Sequence, residues 1–212
     1  MGDMRLRRAA GEEFGAGIGE PSNELLPTGE GSGVESAGAL FQRTLLDAFP
    51  RTIEAWQHAN RERTQDDLAA SFAQSRHFEA YRAGASSRRG VSLEEAFFRF
   101  CEEEAISDPA MRKAECGRAL IWALVATPDA SFNLPDFVLC APRGHFVIVE
   151  LDGGTTLFAA IEGRLVTGRV TPFLAELLTA HEPPSFTALR FDISHAELAA
   201  SCNVLRRMGL LP

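Results

Sequence analysis

The stretch FVLCAPRGHFVIVELDGGTTLFAAIEGRLV, residues 137–166, decides how this chain is read. It holds two short apolar runs, Phe137–Cys140 and Phe146–Leu151, split at Pro142-Arg143-Gly144. A Gly153-Gly154 turn leads into a third run, Thr155–Ile161. Short runs rich in β-branched and aromatic residues, bounded by Gly and Pro, are strand signals. The first two runs therefore predict a hairpin, and the paired glycines permit a tight turn into the third. Gly163 and Gly168 bracket Arg164–Thr167, a fourth short strand or an extension of the third.

C-terminal to this stretch the pattern returns to helix. Thr171-Pro172 opens one helix, which continues through Thr179. Asp192 or Ser194 caps the last, Ala196–Met208, and Gly209 supplies the left-handed stop. Three or four small strands followed by short helices is the order of a winged-helix-like module. N-terminal to the stretch the chain reads as helix after helix. Leu40, Phe41, Thr44, Leu45 and Ala48 recur at helical spacing, and Ile53 and Trp56 extend the stripe beyond Pro50. Thr64 starts the next helix, with Asp66 and Asp67 in its first turn and Leu68, Phe72, Phe78 and Tyr81 as apolar positions. Ser92 caps a further helix, with Glu95 in the capping-box position and Phe97, Phe98, Phe100 and Cys101 on one side. Asp108 and Pro109 open the most apolar helix, which holds Leu120-Ile121-Trp122-Ala123-Leu124-Val125. Apolar on nearly every face, it is expected to be central, with Trp122 buried.

The expected fold class is α+β in three parts: a disordered glycine-rich tail at 1–36, a helical domain at 37–130, and a winged-helix-like recognition module at 131–212. The tail is rich in glycine and charge and cannot bury enough apolar surface to offset its ordering entropy. Gly84–Gly90 is read as a loop, and residues 127–136, with Pro128 and Pro135, as a linker.

The chain has 212 residues and a formal net charge of −8, which argues against a general phosphate-binding surface. No apolar run reaches the ~20 residues that span a bilayer. The N-terminus has no apolar core of a signal peptide, so a cytoplasmic location is expected. The four cysteines, Cys101, Cys116, Cys140 and Cys202, lie far apart, without C-x-x-C spacing, and read as free packed thiols. None of His58, His77, His145, His181 and His195 pairs with another at helical spacing, so no metal site is expected. Neither a G-x-S-x-G elbow nor a phosphate loop is present. No catalytic residue and no cofactor are assigned. Glu94, Glu95 and Glu102-Glu103-Glu104 form an acidic helix face, read as solvated or as a docking surface for a basic partner.

In a winged-helix module the last helix could lie in a DNA groove. Here its body, Ala196 to Leu205, offers no Arg or Lys, which base reading and phosphate contact require. An extended peptide laid along a strand edge fits better. Leu157, Phe158 and Ala159 are expected to present that edge, and Leu198, Cys202 and Leu205 to line the floor. The alternative is that these six simply form the module's core.

Leu45-Leu46-Asp47-Ala48-Phe49-Pro50-Arg51-Thr52-Ile53-Glu54 resembles an L-x-D-x-x-P-R-x-x-E stretch in partner proteins of peptide natural-product pathways. Ser92-Leu93-Glu94-Glu95-Ala96-Phe97-Phe98-Arg99-Phe100 is similar to a second aromatic helix of the same proteins. That family includes the partner subunits of methanobactin and thiaglutamate biosynthesis. The resemblance covers residues 40–212 and leaves the glycine-rich N-terminus unexplained. It implies a heterodimer with a multinuclear iron oxygenase built on a TIM barrel, whose metal ligands lie in that other subunit. It also implies that this chain binds the leader of a precursor peptide. A winged-helix DNA-binding regulator, a protein–protein interaction module with another partner, and a stand-alone enzyme are the competing functions.

Overall fold

The computed structural model describes residues 37–84, 90–126 and 133–212. The tail at 1–36, residues 85–89 of the expected loop and 127–132 of the expected linker lie outside the described residues. Helix α1 covers 37–48 and changes gauge inside: it is α-helical at Ala37–Leu40, π-helical at Phe41–Leu45 and α-helical again at Leu46–Ala48. There follow α2 (Pro50–Ala59), α3 (Gln65–Ala73), α4 (Arg76–Gly84), α5 (Leu93–Glu103) and α6 (Pro109–Ala126). Strands β1 (Leu139–Ala141), β2 (Gly144–Leu151), β3 (Gly154–Ile161) and β4 (Arg164–Arg169) come next. Helices α7 (Pro172–Thr179), α8 (Pro184–Arg190) and α9 (His195–Arg207) complete the order.

The helix starts follow local chemistry. The Thr64 hydroxyl accepts from the Asp67 N–H, and the Asp67 carboxylate accepts from the Thr64 N–H at 2.7 Å. Ser194 and Glu197 form the same reciprocal box at the start of α9. Ser92 caps α5 through the Glu95 N–H, but the Glu95 side chain lies 3.7 Å from Arg99. Pro50, Pro109 and Pro172 sit at helix starts, where the missing N–H costs no intrahelical bond.

The four strands form one antiparallel sheet in the order β1-β2-β3-β4. Both long hairpins close on two residues at positive φ: Asp152-Gly153 joins β2 to β3, and Glu162-Gly163 joins β3 to β4. This is the mirror-image turn that matches strand twist. The turn into β3 is thus Asp152-Gly153 and not Gly153-Gly154. Gly154 is already in the strand, where a Cβ would meet the Arg169 guanidinium.

The sheet is covered on both faces. Val147, Val149, Phe158 and Ala160 belong to the core shared with the N-terminal helices. Phe146, Leu157, Ala159 and Ile161 belong to a second cluster with α7, α8 and α9. That explains why Phe146 to Val149 and Leu157 to Ile161 are apolar without alternation: each side of the strand meets protein. Gly117 of α6 faces Val147 so closely that a Cβ would lie 2.6 Å from a Val147 methyl. The described residues all belong to one compact unit. The boundary expected at 130/131 falls outside the described residues, and the elements on either side of it share one apolar core.

Phe97 is fully buried and meets Phe41, Phe49 and Phe72 edge-on, with ring centroids 5.6, 5.0 and 5.2 Å away. Two charged side chains of α6 also point inward. Glu115 accepts the Arg51 N–H at 2.8 Å and the Thr52 N–H at 3.0 Å, so a carboxylate holds the start of α2. Arg112 donates from Nη1 to the carbonyls of Ile106 and Ser107, each at 2.5 Å. Ser107 has φ of 60°, and this bond fixes the sharp connection between α5 and α6.

Trp122 departs from expectation: 51% of its surface is exposed. Ile121, one residue before it, is fully buried. Helix α6 is central, but it is clamped between α-helices on one side and the sheet on the other, and Trp122 points out through the gap.

Candidate functional site

The six residues expected to hold a peptide fall into the core. Leu157 is 5% exposed and Ala159 0%, both on the face toward α9. Phe158 points to the opposite face and packs with the N-terminal helices. Cys202 and Leu205 are buried in the C-terminal cluster, and Leu198 packs against it half-buried. The expected edge at Thr155–Ile161 is corrected by the sheet order. β3 is hydrogen-bonded to β2 on one side and β4 on the other. A strand added beside it would have to displace one of them. The cause is the Glu162-Gly163 turn, which folds Arg164–Arg169 back as a separate strand.

The outer strands of the sheet are β1 and β4, and of the two only β4 adjoins β3. Its inner bonds are placed by the Val170 N–H, which donates to the Thr155 carbonyl at 2.9 Å. Antiparallel strands alternate the direction of their backbone groups. Gly168, Val166 and Arg164 therefore also bond toward β3, and the N–H and C=O of Leu165, Thr167 and Arg169 point away from it. Thr167 is exposed and Leu165 is half-buried. This is a row of unpaired backbone groups of the kind to which another strand can add.

Beside that edge lies a hollow of about 430 Å³ that the sequence reading missed. Trp122, Ala119 and Ala123 of α6 form one wall and Leu165 of β4 another. The remaining wall comes from α1, where Arg43 and Thr44 belong to the π-helical segment. Such segments recur at functional sites. The Arg118 Nη2 donates to the carbonyls of Asp47 at 2.9 Å and Ala48 at 3.4 Å, which holds α1 against α6. The one sequence signal for this hollow was a tryptophan in a helix apolar all round, and that signal also fits burial.

A larger hollow of about 620 Å³ lies between β2, β3 and α7. Its polar groups are engaged with one another. The Thr155 hydroxyl donates to Glu150 at 2.5 Å, Glu176 pairs with Arg190, and Arg169 donates to the Asp152 carbonyl at 3.3 Å. Arg51 makes a two-pronged pair with Asp152 at 3.1 Å on both prongs, and this holds the Asp152 carboxyl below the usual carboxylate range. The Pro50-Arg51 pair of the sequence motif therefore anchors α2 to the β2–β3 turn.

Burial pushes the Cys101 and Cys116 thiols up, away from a nucleophilic thiolate. Cys140 is exposed on β1 opposite His145, whose pKa is lowered by burial. His145 lies within β2. Glu103 accepts from Arg76 and touches His77 at 2.7 Å, joining α4 to the end of α5. Glu102, Glu103 and Glu104 are exposed. Among the described residues no three His, Cys, Asp or Glu side chains converge as a metal site, and no helix is long and apolar enough to cross a membrane. No protein-family model matches the chain, and neither a curated protein nor a solved structure matches it significantly.

Proposed function

We propose that this protein is a non-catalytic recognition subunit that binds the leader segment of a precursor peptide and presents it to a modifying enzyme. The observation that carries the peptide half is the pairing of an unpaired strand edge, β4, with an apolar hollow holding a half-exposed tryptophan. Main-chain hydrogen bonds to the edge would supply affinity, and the Trp122 hollow would select one side chain of the guest. In this reading residues 131–212 act as the winged-helix-like module, with its recognition edge on β4. The enzyme half rests on the sequence resemblance, which gives a TIM-barrel iron oxygenase as the second partner of a heterodimer.

The reading expects neighbouring genes for an iron-binding barrel and for a short precursor containing cysteine. Calorimetry of the full chain with that synthetic precursor tests it. Binding should be lost in Thr167→Pro, which removes one outward N–H of β4, and in Trp122→Glu, which fills the hollow with charge. Unchanged affinity in both folded variants would remove the strand-addition reading. Failure of the barrel protein to co-purify would remove the partner-subunit reading.

A further inference from the structure

We propose that a hollow between the end of α5 and the α2–α3 connection binds a free apolar α-amino acid, held by Arg63 and Glu104. The hollow measures about 300 Å³, at the lower end of small-molecule sites. None of its lining comes from the sheet, so the site is independent of the β4 reading. Its floor is apolar: Trp56, Leu68, Phe100 and Ile106 are all buried. Ala55 and Ala59, one turn apart on α2, are too small to fill the space.

Among the described residues the charged groups lining the hollow are Arg63 and Glu104, and neither enters an ion pair. The Asp67 carboxylate, in the turn after Arg63, is taken by the Thr64 N–H and hydroxyl. Glu104 is the C-cap of α5, where helix carbonyls carry the negative end of the dipole. The helix closes through the Ala105 N–H to the Glu102 carbonyl and the Ile106 N–H to the Cys101 carbonyl. Among the described residues no backbone N–H reaches the carbonyls of Glu103 and Glu104. An ammonium group beside Glu104 therefore meets both a carboxylate and a helix C-terminus.

The wall behind Glu104 is strained. Ala105 and Ser107 both line the hollow, with φ of 52° and 60°, a left-handed conformation that suits glycine. The other non-glycine residues at positive φ among the described residues, Asp152, Glu162 and Asp192, are acids in turns. Strain of this kind concentrates at ligand sites. Arg112 clamps the segment by donating to the Ile106 and Ser107 carbonyls, so the wall is set before a ligand arrives. An α-amino acid carries both needed charges on one carbon. Its ammonium answers Glu104, its carboxylate answers the Arg63 fork, and an apolar side chain covers the floor. A plain amine or a plain carboxylate leaves one charged group unanswered. A polar side chain would lose its hydration against the floor.

Calorimetry of the full chain with leucine, methionine and phenylalanine tests the site. At least one should bind, and its N-acetyl and decarboxylated forms should each bind about tenfold more weakly. Glu104→Gln should bring the free amino acid down to the level of the acetylated form, and Arg63→Gln down to the level of the amine. Both side chains are exposed, so the thermal midpoints without ligand should match the parent. Binding of none of the three, or an acetylated form that binds as well as the free amino acid, would overturn the proposal. Affinities unchanged in both variants would also overturn it. The comparison of ligand forms on the parent chain decides the matter even where a variant does not fold. Each of these failures leaves the β4 reading untouched, because that reading is tested by precursor binding in Thr167→Pro.

Discussion

Strands β3 and β4 are neighbours joined by a two-residue turn, yet they have opposite roles. β3 is paired along both edges and buried on both faces, with Ala159 inaccessible between them. β4 is paired along one edge, and its residues are exposed or half-buried. The more apolar strand is the structural one, and the polar, arginine-ended strand is where a partner could add. Apolar character marks the strand the fold consumes, and the unpaired backbone marks the strand available for binding.

Proline separates the two strands most sharply. By the alternation fixed at Val170, the Ala159 N–H points at Val166 of β4. Ala159→Pro removes that bond and crowds a fully buried site, so it should cost about 3–6 kcal/mol. Thr167→Pro removes an N–H that faces solvent and should cost about 1 kcal/mol or less. Urea unfolding of both variants measures this. Equal costs would mean that β4 is not an edge.

A second contrast sets the two fates of aromatic residues against each other. Phe97→Ala opens a cavity among Phe41, Phe49 and Phe72 and should cost about 3–5 kcal/mol. Trp122→Ala, with half its surface already in water, should cost about 1 kcal/mol or less. Thermal midpoints report the difference. A loss for Trp122→Ala as large as that for Phe97→Ala would show that the ring supports the fold and is not held for a guest.

Much of the fold could be read from the sequence because local chemistry governs it. Thr64, Ser92 and Thr171 announced their helix starts through hydroxyls that accept backbone N–H groups, and of the two candidates for the last helix, Asp192 and Ser194, the cap is Ser194. Gly209, at φ of 71°, marked the last helix end. The strand runs showed through their Gly and Pro borders. What could not be read depends on direction and pairing. Sequence says that α6 is apolar all round, but not which residue faces the gap, and that residue is Trp122. It offers Arg164–Thr167 as a strand without saying whether it stays free. Glu115 reads as an ordinary helix glutamate, because its partners at Arg51 and Thr52 are brought near only by the fold. The site therefore stayed hidden while the elements that carry it were legible.

The smallest predicted effect compares the turns that open β3 and β4. Asp152-Gly153 and Glu162-Gly163 share the same positive-φ geometry, but among the described residues only Asp152 of the two has an ion-pair partner, Arg51. Asparagine suits such turns and tolerates positive φ, so substitution there isolates the charge. Asp152→Asn gains turn propensity and loses the Arg51 attraction, whereas Glu162→Asn gains turn propensity alone. The Asp152 carboxyl lies below its ordinary value in the folded protein, so its contribution is present above the unfolded pKa of about 3.9. That contribution is lost as pH falls through the folded value. At about pH 7 Asp152→Asn should therefore melt below Glu162→Asn, and the gap should close as acid protonates the folded Asp152 carboxyl. Because both groups are exposed, the gap is expected to be a degree or two and to shrink in high salt. A gap that persists unchanged at low pH would show that the Asp152 turn differs from its neighbour in backbone geometry and not in its tie to α2.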